Sequence, residues 1–350
     1  MAENILLGGL RRYEFYSYCS DFPQELNKVV NQDLYGDIHW KWTYIPDNPY
    51  AKPKASNSSH NSYPNEGTIT AQNVKDPSLF FTICLNYSYF YSNSKYPKRN
   101  YVLRTGFRNN GADVKPDLFT DVGAITEIPF HVTTESTSTS DYLYNVYFKW
   151  SLLITDRYIF LYGEPQTYQG IAIPVRIYFG RLKPFEAEDP LIANDFVGVF
   201  SHYPCGLNDA NDELKYRAGR GYVRSSRNGT KNALYHFATS SQVPSPGVGG
   251  RFFISPFYVW HATEGVRGEF QGVRTAVLKD ASKYPDGSIL DLGTERYHVF
   301  HAFSESNPDS YEGWYATDGK YYKGQPYFFD SPLLLGGGQR VLLFEIEREV

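Results

Sequence analysis

Residues 144–162 read Tyr-Asn-Val-Tyr-Phe-Lys-Trp-Ser-Leu-Leu-Ile-Thr-Asp-Arg-Tyr-Ile-Phe-Leu-Tyr, and the fold class follows from their pattern. Apolar or aromatic side chains occupy alternate positions from Tyr144 to Ile154, which is the period of a β-strand that buries one face. The polar residues 155–157 then predict a turn, and a second aromatic run starts at Tyr158. The stretch therefore predicts an antiparallel hairpin in a mainly β protein.

The same alternation recurs on both sides of this hairpin. Residues 38–44 and 81–91 each place apolar or aromatic side chains on one face of a predicted strand, and residues 173–179 do so up to Gly180. Asn228-Gly229 is a two-residue hairpin signal. Further strands are predicted near 221–227, 231–238, 251–261, 271–278, 296–303 and 339–347.

Helical periodicity is scarce. The clearest case is residues 21–30, Asp-Phe-Pro-Gln-Glu-Leu-Asn-Lys-Val-Val, which combine an N-cap residue, an early proline and apolar side chains on one side, and residues 207–215 allow a single helical turn. We therefore expect an antiparallel β-sandwich or barrel-like sheets with one short N-terminal helix. Polar, unperiodic residues at 51–66 and 242–250 predict long loops. Two β-rich regions, 1–182 and 196–350, are one interpretation, and a single elaborated sandwich is the other.

The composition is aromatic and close to neutral in charge. The 350 residues include 31 Tyr, 24 Phe and 5 Trp, and 34 Lys+Arg against 38 Asp+Glu give a net charge of −4. This balance argues against a specific nucleic-acid-binding surface. No apolar run approaches the roughly 18 residues of a membrane span. The N-terminus lacks the basic region of a signal peptide, and the three cysteines cannot form a disulfide framework, so we expect synthesis in a cytoplasm.

Candidate metal ligands fail on spacing. His298 and His301 are three residues apart, so on a strand they point to opposite faces. His202 and Cys205 have no second pair at a suitable distance, and a plain turn with a buried thiol explains them as well. Residues 208–213 are acidic but lack the glycine and the terminal glutamate of a calcium loop. No phosphate-binding glycine motif or nucleophile elbow is present, so we expect no metal and no cofactor.

Carboxylates leave an enzymatic alternative open, because a glycoside hydrolase can be all-β and aromatic-rich. The candidate acids are Glu186, Glu188 and Asp189, and the pair Glu264 and Glu269. Catalytic carboxylates must face each other across a cleft at about 5–10 Å, which sequence spacing does not establish. Solvated acidic loops are the simpler interpretation, and we expect no catalytic residue.

The densest aromatic region outside the predicted strands is 311–328. Tyrosine and tryptophan on loops stack against sugar rings and are common at protein interfaces. Ordinary packing at the end of a sandwich is the alternative. The candidate ligand or interface residues are Tyr311, Trp314, Tyr315, Tyr321, Tyr322 and Tyr327.

One segment resembles a family. Residues 147–162 and 175–185 are similar to a recurrent segment of tailed-bacteriophage structural proteins. The shared features are a Trp strand, an Asp156-Arg157 turn, an aromatic strand, and a strand ending in Phe179-Gly180 with a loop after it. The resemblance implies a tail, baseplate or neck subunit of a virion, made in the host cytoplasm. It implies other virion proteins and further copies of the chain as partners, and it carries over no catalytic residue.

Three functional hypotheses follow. The first is a non-enzymatic virion subunit that assembles through aromatic and strand-edge interfaces. The second is a carbohydrate- or receptor-binding β-sandwich module that uses the aromatic residues of 311–328. The third is a glycoside hydrolase that uses one of the acidic pairs.

Overall fold

The structure is a computed structural model. It describes residues 3–18, 21–32, 36–46, 68–77, 79–88, 100–107, 126–129, 132–133, 147–165, 171–172, 175–185, 196–201, 219–224, 234–238, 252–261, 265–278, 283–301 and 339–347. A search of these residues for a helix with the length and apolar character of a membrane span found none.

One helix and twenty strands lie within the described residues. The helix α1 spans Phe22–Val30. The strands are β1 Glu3–Leu7, β2 Leu10–Tyr18, β3 Trp40–Ile45, β4 Thr68–Asn73, β5 Phe80–Ser88, β6 Asn100–Phe107, β7 Thr126–Pro129, β8 Val132–Thr133, β9 Tyr147–Ile154, β10 Tyr158–Pro165, β11 Ile171–Ala172, β12 Val175–Pro184, β13 Val197–Ser201, β14 Gly219–Arg224, β15 Leu234–Ala238, β16 Phe252–His261, β17 Gly265–Leu278, β18 Ile289–Asp291, β19 Arg296–Phe300 and β20 Gln339–Glu345.

The predicted mainly β, antiparallel fold with one short helix near the N-terminus is confirmed. β9 and β10 form the expected hairpin, in which Ile154 pairs with Ile159 across the turn at 155–157. Asp21 stands at the N-cap of α1, although its side chain makes no capping hydrogen bond. The predicted turn at Asn228-Gly229 and the loops at 51–66 and 242–250 lie outside the described residues.

Three strand boundaries differ from the sequence pattern. Ile38 fits the alternation, yet β3 begins only at Trp40 and Ile38 is exposed in the bend before it. β12 continues through Gly180 to Pro184, because its second half pairs with β17. β17 begins at Gly265 rather than near 271, since the extra residues pair with both β12 and β16.

Chain contacts divide the protein into two compact units. Unit 1 comprises Met1–Ile5, Arg11–Tyr178 and Thr230–Asn232, and unit 2 comprises Leu6–Leu10, Phe179–Gly229 and Ala233–Val350. The predicted domain ranges, 1–182 and 196–350, stay a prediction.

Unit 1 contains two antiparallel sheets that matter for its surface. β3 to β7 form a five-stranded meander in chain order, and β9 pairs with β2 on one side and with β10 on the other. Phe15 and Phe148 lie against the Trp150 indole, and Phe22 of α1 packs on the same ring with centroids 4.3 Å apart. Aromatic packing therefore fixes β2, β9 and the helix together.

The turn between β9 and β10 is held by residues of the five-stranded sheet. The Trp40 indole donates to the carbonyl of Thr155 at 2.7 Å, and the Asn73 amide donates to that of Asp156 at 2.8 Å. Lys75 Nζ lies 2.6 Å from Asp156 Oδ2. Burial favours protonation of Asp156, but Lys75 outweighs it, so the pKa of Asp156 lies below its ordinary value. The Asp-Arg turn thus has a structural role.

Unit 2 is a sheet that curls back on itself. Its strand order is β13-β14-β15-β16-β17-β20-β19-β18, and β17 also pairs with the second half of β12. Phe257 and Phe200 pack on the Phe270 ring. A second core cluster lies under β17 to β20 and contains Ala276, Leu290, Tyr297, Val299, Val341 and Leu343.

Candidate functional site

One face of β2, β9 and β10 changes from buried to exposed along the strands. The register places Glu14, Ser151 and Tyr162 in one row across the three strands, and all three are buried. The next row is Tyr16, Lys149 and Glu164, and beyond it Tyr18 stands opposite Tyr147. Alternation in β2 places Tyr16 and Tyr18 on the same face as Glu14. We call Tyr16, Tyr18, Tyr147, Lys149 and Glu164 the tyrosine face.

Exposed aromatic rings dominate this face. Tyr16 is 48% exposed and Tyr18 is 45% exposed, although both lie inside a strand. The Tyr16 and Tyr147 rings stack with centroids 5.7 Å apart, and the Tyr18 ring tilts against Tyr147 at 5.0 Å. Clustered exposed aromatics are typical of interaction surfaces rather than of ordinary solvent-facing strands.

A buried ionic network supports the tyrosine face from the adjoining row. Arg12 Nη2 lies 2.7 Å from Glu14 Oε1, and the Ser151 hydroxyl donates to the same oxygen at 2.8 Å. Lys149 Nζ lies 3.4 Å from Glu14 Oε2. Because Glu14 joins Lys149 of the face to buried groups, the network fixes where the lysine stands.

Unit 2 has a comparable arrangement, the Phe185 patch, formed by Phe185, Tyr258 and Lys183. Phe185 is 51% exposed and its ring meets the Tyr258 ring edge-on at 5.9 Å. The register sets Lys183 and Tyr258 on either side of Glu269. This patch also combines exposed aromatic area with a buried glutamate, but it has one strongly exposed ring where the tyrosine face has two.

Glu269 is the one predicted catalytic candidate that the structure describes, and it is an ion-pair residue. Its carboxylate lies 3.0 Å from Arg274 Nη2 and 3.6 Å from Lys183 Nζ. Its predicted partner Glu264, and Glu186, Glu188 and Asp189, lie outside the described residues.

The carboxyl of Asp37 in unit 1 has a pKa above its ordinary value. Burial raises its pKa, while the hydrogen bonds from the Trp42 indole at 2.6 Å and from the backbone N–H of His39 at 2.8 Å oppose the rise. Burial and the nearby Asp37 charge raise the pKa of Tyr13 to about 12. Both oxygens of Asp37 accept hydrogen bonds that shape the chain just before β3, so its role is structural.

The described histidines of the sequence analysis also have structural surroundings. His298 is fully buried in β19, and the backbone N–H of His301 donates to Asp286 Oδ1. The His301 ring contacts the carbonyl oxygen of Tyr284 at 2.8 Å. In the part of the chain that the structure describes, no group of three or more His, Cys, Asp or Glu is placed to hold a metal ion. His202, Cys205 and residues 208–213 lie outside it.

The structure brings together a different aromatic cluster from the one that the sequence predicts. The predicted site residues all lie outside the described residues: Tyr311, Trp314, Tyr315, Tyr321, Tyr322 and Tyr327. The tyrosine face was missed because β2 was not predicted as a strand. Its signal was present, since Tyr16 and Tyr18 continue the alternation of Arg12 and Glu14.

No protein-family model matches this sequence, and no curated protein matches it.

Proposed function

We propose that the protein is a non-enzymatic structural subunit of a phage virion, in the tail, baseplate or neck. The observation that carries the assembly role is the exposed, mutually packed ring cluster of the tyrosine face. Tyrosine is a frequent anchor of protein interfaces because it adds a large area at a small loss of side-chain entropy. The virion setting rests on the resemblance of residues 147–162 and 175–185 to phage structural proteins.

Strand edges supply the second kind of contact in this proposal. Within the described residues, β3 and β7 end the five-stranded sheet. An edge strand offers backbone N–H and C=O groups to a neighbouring strand, as in strand addition between subunits. Lys41 and Thr43 are exposed on β3, which keeps this edge soluble until a partner pairs with it.

The protein composition of purified phage particles tests this proposal. Purified virions from a lysate of the encoding phage are analysed by mass spectrometry, and the expected result is this chain at a fixed copy number per particle. The proposal also predicts the genomic context. Genes for tail, sheath or portal proteins should lie beside the gene for this chain. Absence from purified particles, together with a protein that stays monomeric with each particle component, would overturn the proposal.

The alternative function is a carbohydrate- or receptor-binding module, and the polar groups of the tyrosine face favour it. Lys149 and Glu164 stand in the same row as Tyr16 and offer a donor and acceptors beside an aromatic ring. Binding on a glycan array that is lost in the variant Tyr16→Ser/Tyr18→Ser would promote this function above the first.

A further inference from the structure

We propose that Tyr16 and Tyr147 of the tyrosine face are a site of oxidative cross-linking, where a haem peroxidase acting with hydrogen peroxide joins their rings into a dityrosine within one chain. This modification requires neither a virion nor a partner subunit, so it goes beyond the proposed function. Two properties of the cluster support it: the contact between the phenol rings and their exposure to solvent.

The cross-link forms by loss of one hydrogen atom from each phenol. The peroxidase takes one electron and one proton from each hydroxyl, and hydrogen peroxide accepts both electrons and both protons and becomes two molecules of water. The two phenoxyl radicals form a carbon–carbon bond between ring positions next to their oxygens. The hydrogen on each bonded carbon then moves to the neighbouring oxygen, which restores both aromatic rings and both hydroxyls. The product links β2 to β9 covalently and so restricts the unfolded chain.

Exposure to the oxidant distinguishes this contact from a buried one of the same size. Tyr16 is 48% exposed, and its ring stacks on Tyr147 with centroids 5.7 Å apart. The Tyr158 and Tyr178 rings also stack at 5.7 Å, but each of these two residues is only 1% exposed. A densely packed core excludes the oxidant and holds its rings in place. The surface contact should therefore react, and the buried contact should not.

The ring contact favours a bond within the chain over a bond between chains. Groups that are held together react as if their local concentration were very high. An exposed side chain also changes rotamer rapidly, so the Tyr16 ring can turn from the stacked arrangement to the edge-on arrangement in which the new bond forms. The yield of the link within the chain should therefore not depend on the protein concentration.

Strand register selects Tyr16 over Tyr18 as the partner of Tyr147. Tyr18 stands directly opposite Tyr147, where Cβ atoms lie about 4.5–5.5 Å apart, whereas Tyr16 is a diagonal neighbour, and such residues are about 7–8 Å apart. The Tyr18 ring also contacts Tyr147. However, the two planar rings of a dityrosine lie end to end and hold their Cβ atoms well apart. The diagonal pair meets this requirement, and the direct pair is too close.

Treatment of the full chain at low concentration with a haem peroxidase and hydrogen peroxide tests the site. We expect dityrosine fluorescence in a product that migrates as a monomer in denaturing electrophoresis. Tandem mass spectrometry should show two peptides, together lighter by two hydrogen atoms, that are joined between Tyr16 and Tyr147. Tyr16→Phe keeps the ring but removes the phenol, so this product should be lost. The matched control is Tyr18→Phe, which should retain it.

Two further measurements keep the outcome decisive. Circular dichroism shows whether each variant is folded, and the peptide map of the oxidised wild-type chain identifies the linked residues without any variant. Absence of a cross-link, a link to Tyr147 from Tyr18 in place of Tyr16, links mainly between chains, or an equal yield of linked Tyr158 and Tyr178 would each overturn the inference. The proposed function would stand in each of these cases, because the composition of the particle tests it separately.

Discussion

The tyrosine face of unit 1 and the Phe185 patch of unit 2 both lie beside a buried glutamate that an arginine and a lysine hold. In unit 1, Glu14 meets Arg12 and Lys149, whose side chains are 7% and 38% exposed. In unit 2, Glu269 meets Arg274 and Lys183, whose side chains are 19% and 65% exposed. The same three residue types thus occur in both units, and their cations are less exposed to solvent in unit 1 than in unit 2.

This difference in exposure predicts how strongly the stability of each unit depends on its arginine–glutamate pair. Arg12 and Glu14 are both buried, and the Ser151 hydroxyl also donates to Glu14. Arg274 is less deeply buried, and its Nη1 donates to the carbonyl oxygens of Phe270 and Val273, contacts that it keeps without the carboxylate. A buried pair adds little net stability, but loss of one member leaves an uncompensated charge. We expect unit 1 to be the more sensitive of the two.

The largest expected effect is that of Glu14→Ala. The change leaves the buried Arg12 guanidinium without its carboxylate and should lower the free energy of unfolding by about 3–5 kcal/mol. Chemical denaturation followed by circular dichroism measures it. The control in the same unit is Glu25→Ala, which removes a surface pair with Lys28 and should cost about 0–1 kcal/mol. Equal losses in the two variants would contradict the role of burial.

Glu269→Ala should have a smaller effect, about 1–3 kcal/mol, because Arg274 retains its two backbone acceptors and Lys183 turns to solvent. The same denaturation experiment applies. The control for unit 2 is Asp291→Ala, which removes a half-exposed carboxylate that pairs with Arg296 and accepts a hydrogen bond from the backbone N–H of Gly293. A loss as large as that of Glu14→Ala would show that the exposure of the cations has no influence on the free energy of unfolding.

Asp37 and Asp156 of unit 1 should affect the free energy of unfolding with opposite pH dependence. Burial dominates the pKa shift of Asp37, whereas an ion pair dominates that of Asp156. The pKa of Asp37 is raised, chiefly by burial, so its contribution to stability is present below the ordinary value of 3.8 and is lost as the pH rises through the folded pKa. The pKa of Asp156 is lowered because Lys75 outweighs burial, so its contribution is present above 3.8 and is lost as the pH falls through the folded pKa.

The free energies of unfolding of Asp37→Asn and Asp156→Asn, measured against the wild type between pH 3 and 7, should therefore diverge. The advantage of the wild type over Asp37→Asn should grow as the pH falls, and its advantage over Asp156→Asn should shrink. Parallel slopes would show that the two carboxyls do not differ in the balance of burial and pairing.

The fold was predictable where one strand face is apolar. Trp150 and its alternate neighbours identify β9, and the polar residues 155–157 identify its turn, because a two-residue period and a polar break are local properties. β2 was missed although Arg12 and Glu14 alternate with Tyr13 and Phe15, because the polar face of this alternation becomes aromatic at Tyr16 and Tyr18. The bounds of β12 and β17 depend on which strands they pair with, which local sequence does not contain.

The candidate site was less predictable than the fold for the same reason. Sequence density of aromatic residues pointed to 311–328, whereas the tyrosine face combines Tyr16 and Tyr18 with Tyr147, about 130 positions away. Only the register of β2 against β9 brings them together. Exposure is likewise a property of packing, since Tyr16 and the fully buried Tyr13 are the same residue type on one strand.

The smallest expected effect on stability completes the comparison of the two surfaces. Tyr16→Ser and Phe185→Ser should each lower the free energy of unfolding by about 1 kcal/mol or less, because each loses one partly exposed ring contact. Their thermal transitions should therefore be nearly the same. Such a small contribution to the stability of the monomer does not explain why the ring is exposed, and exposed apolar area carries a risk of aggregation. If Tyr16→Ser instead unfolds the chain as Glu14→Ala does, the ring belongs to the core of unit 1, and the tyrosine face loses its claim to be an interface.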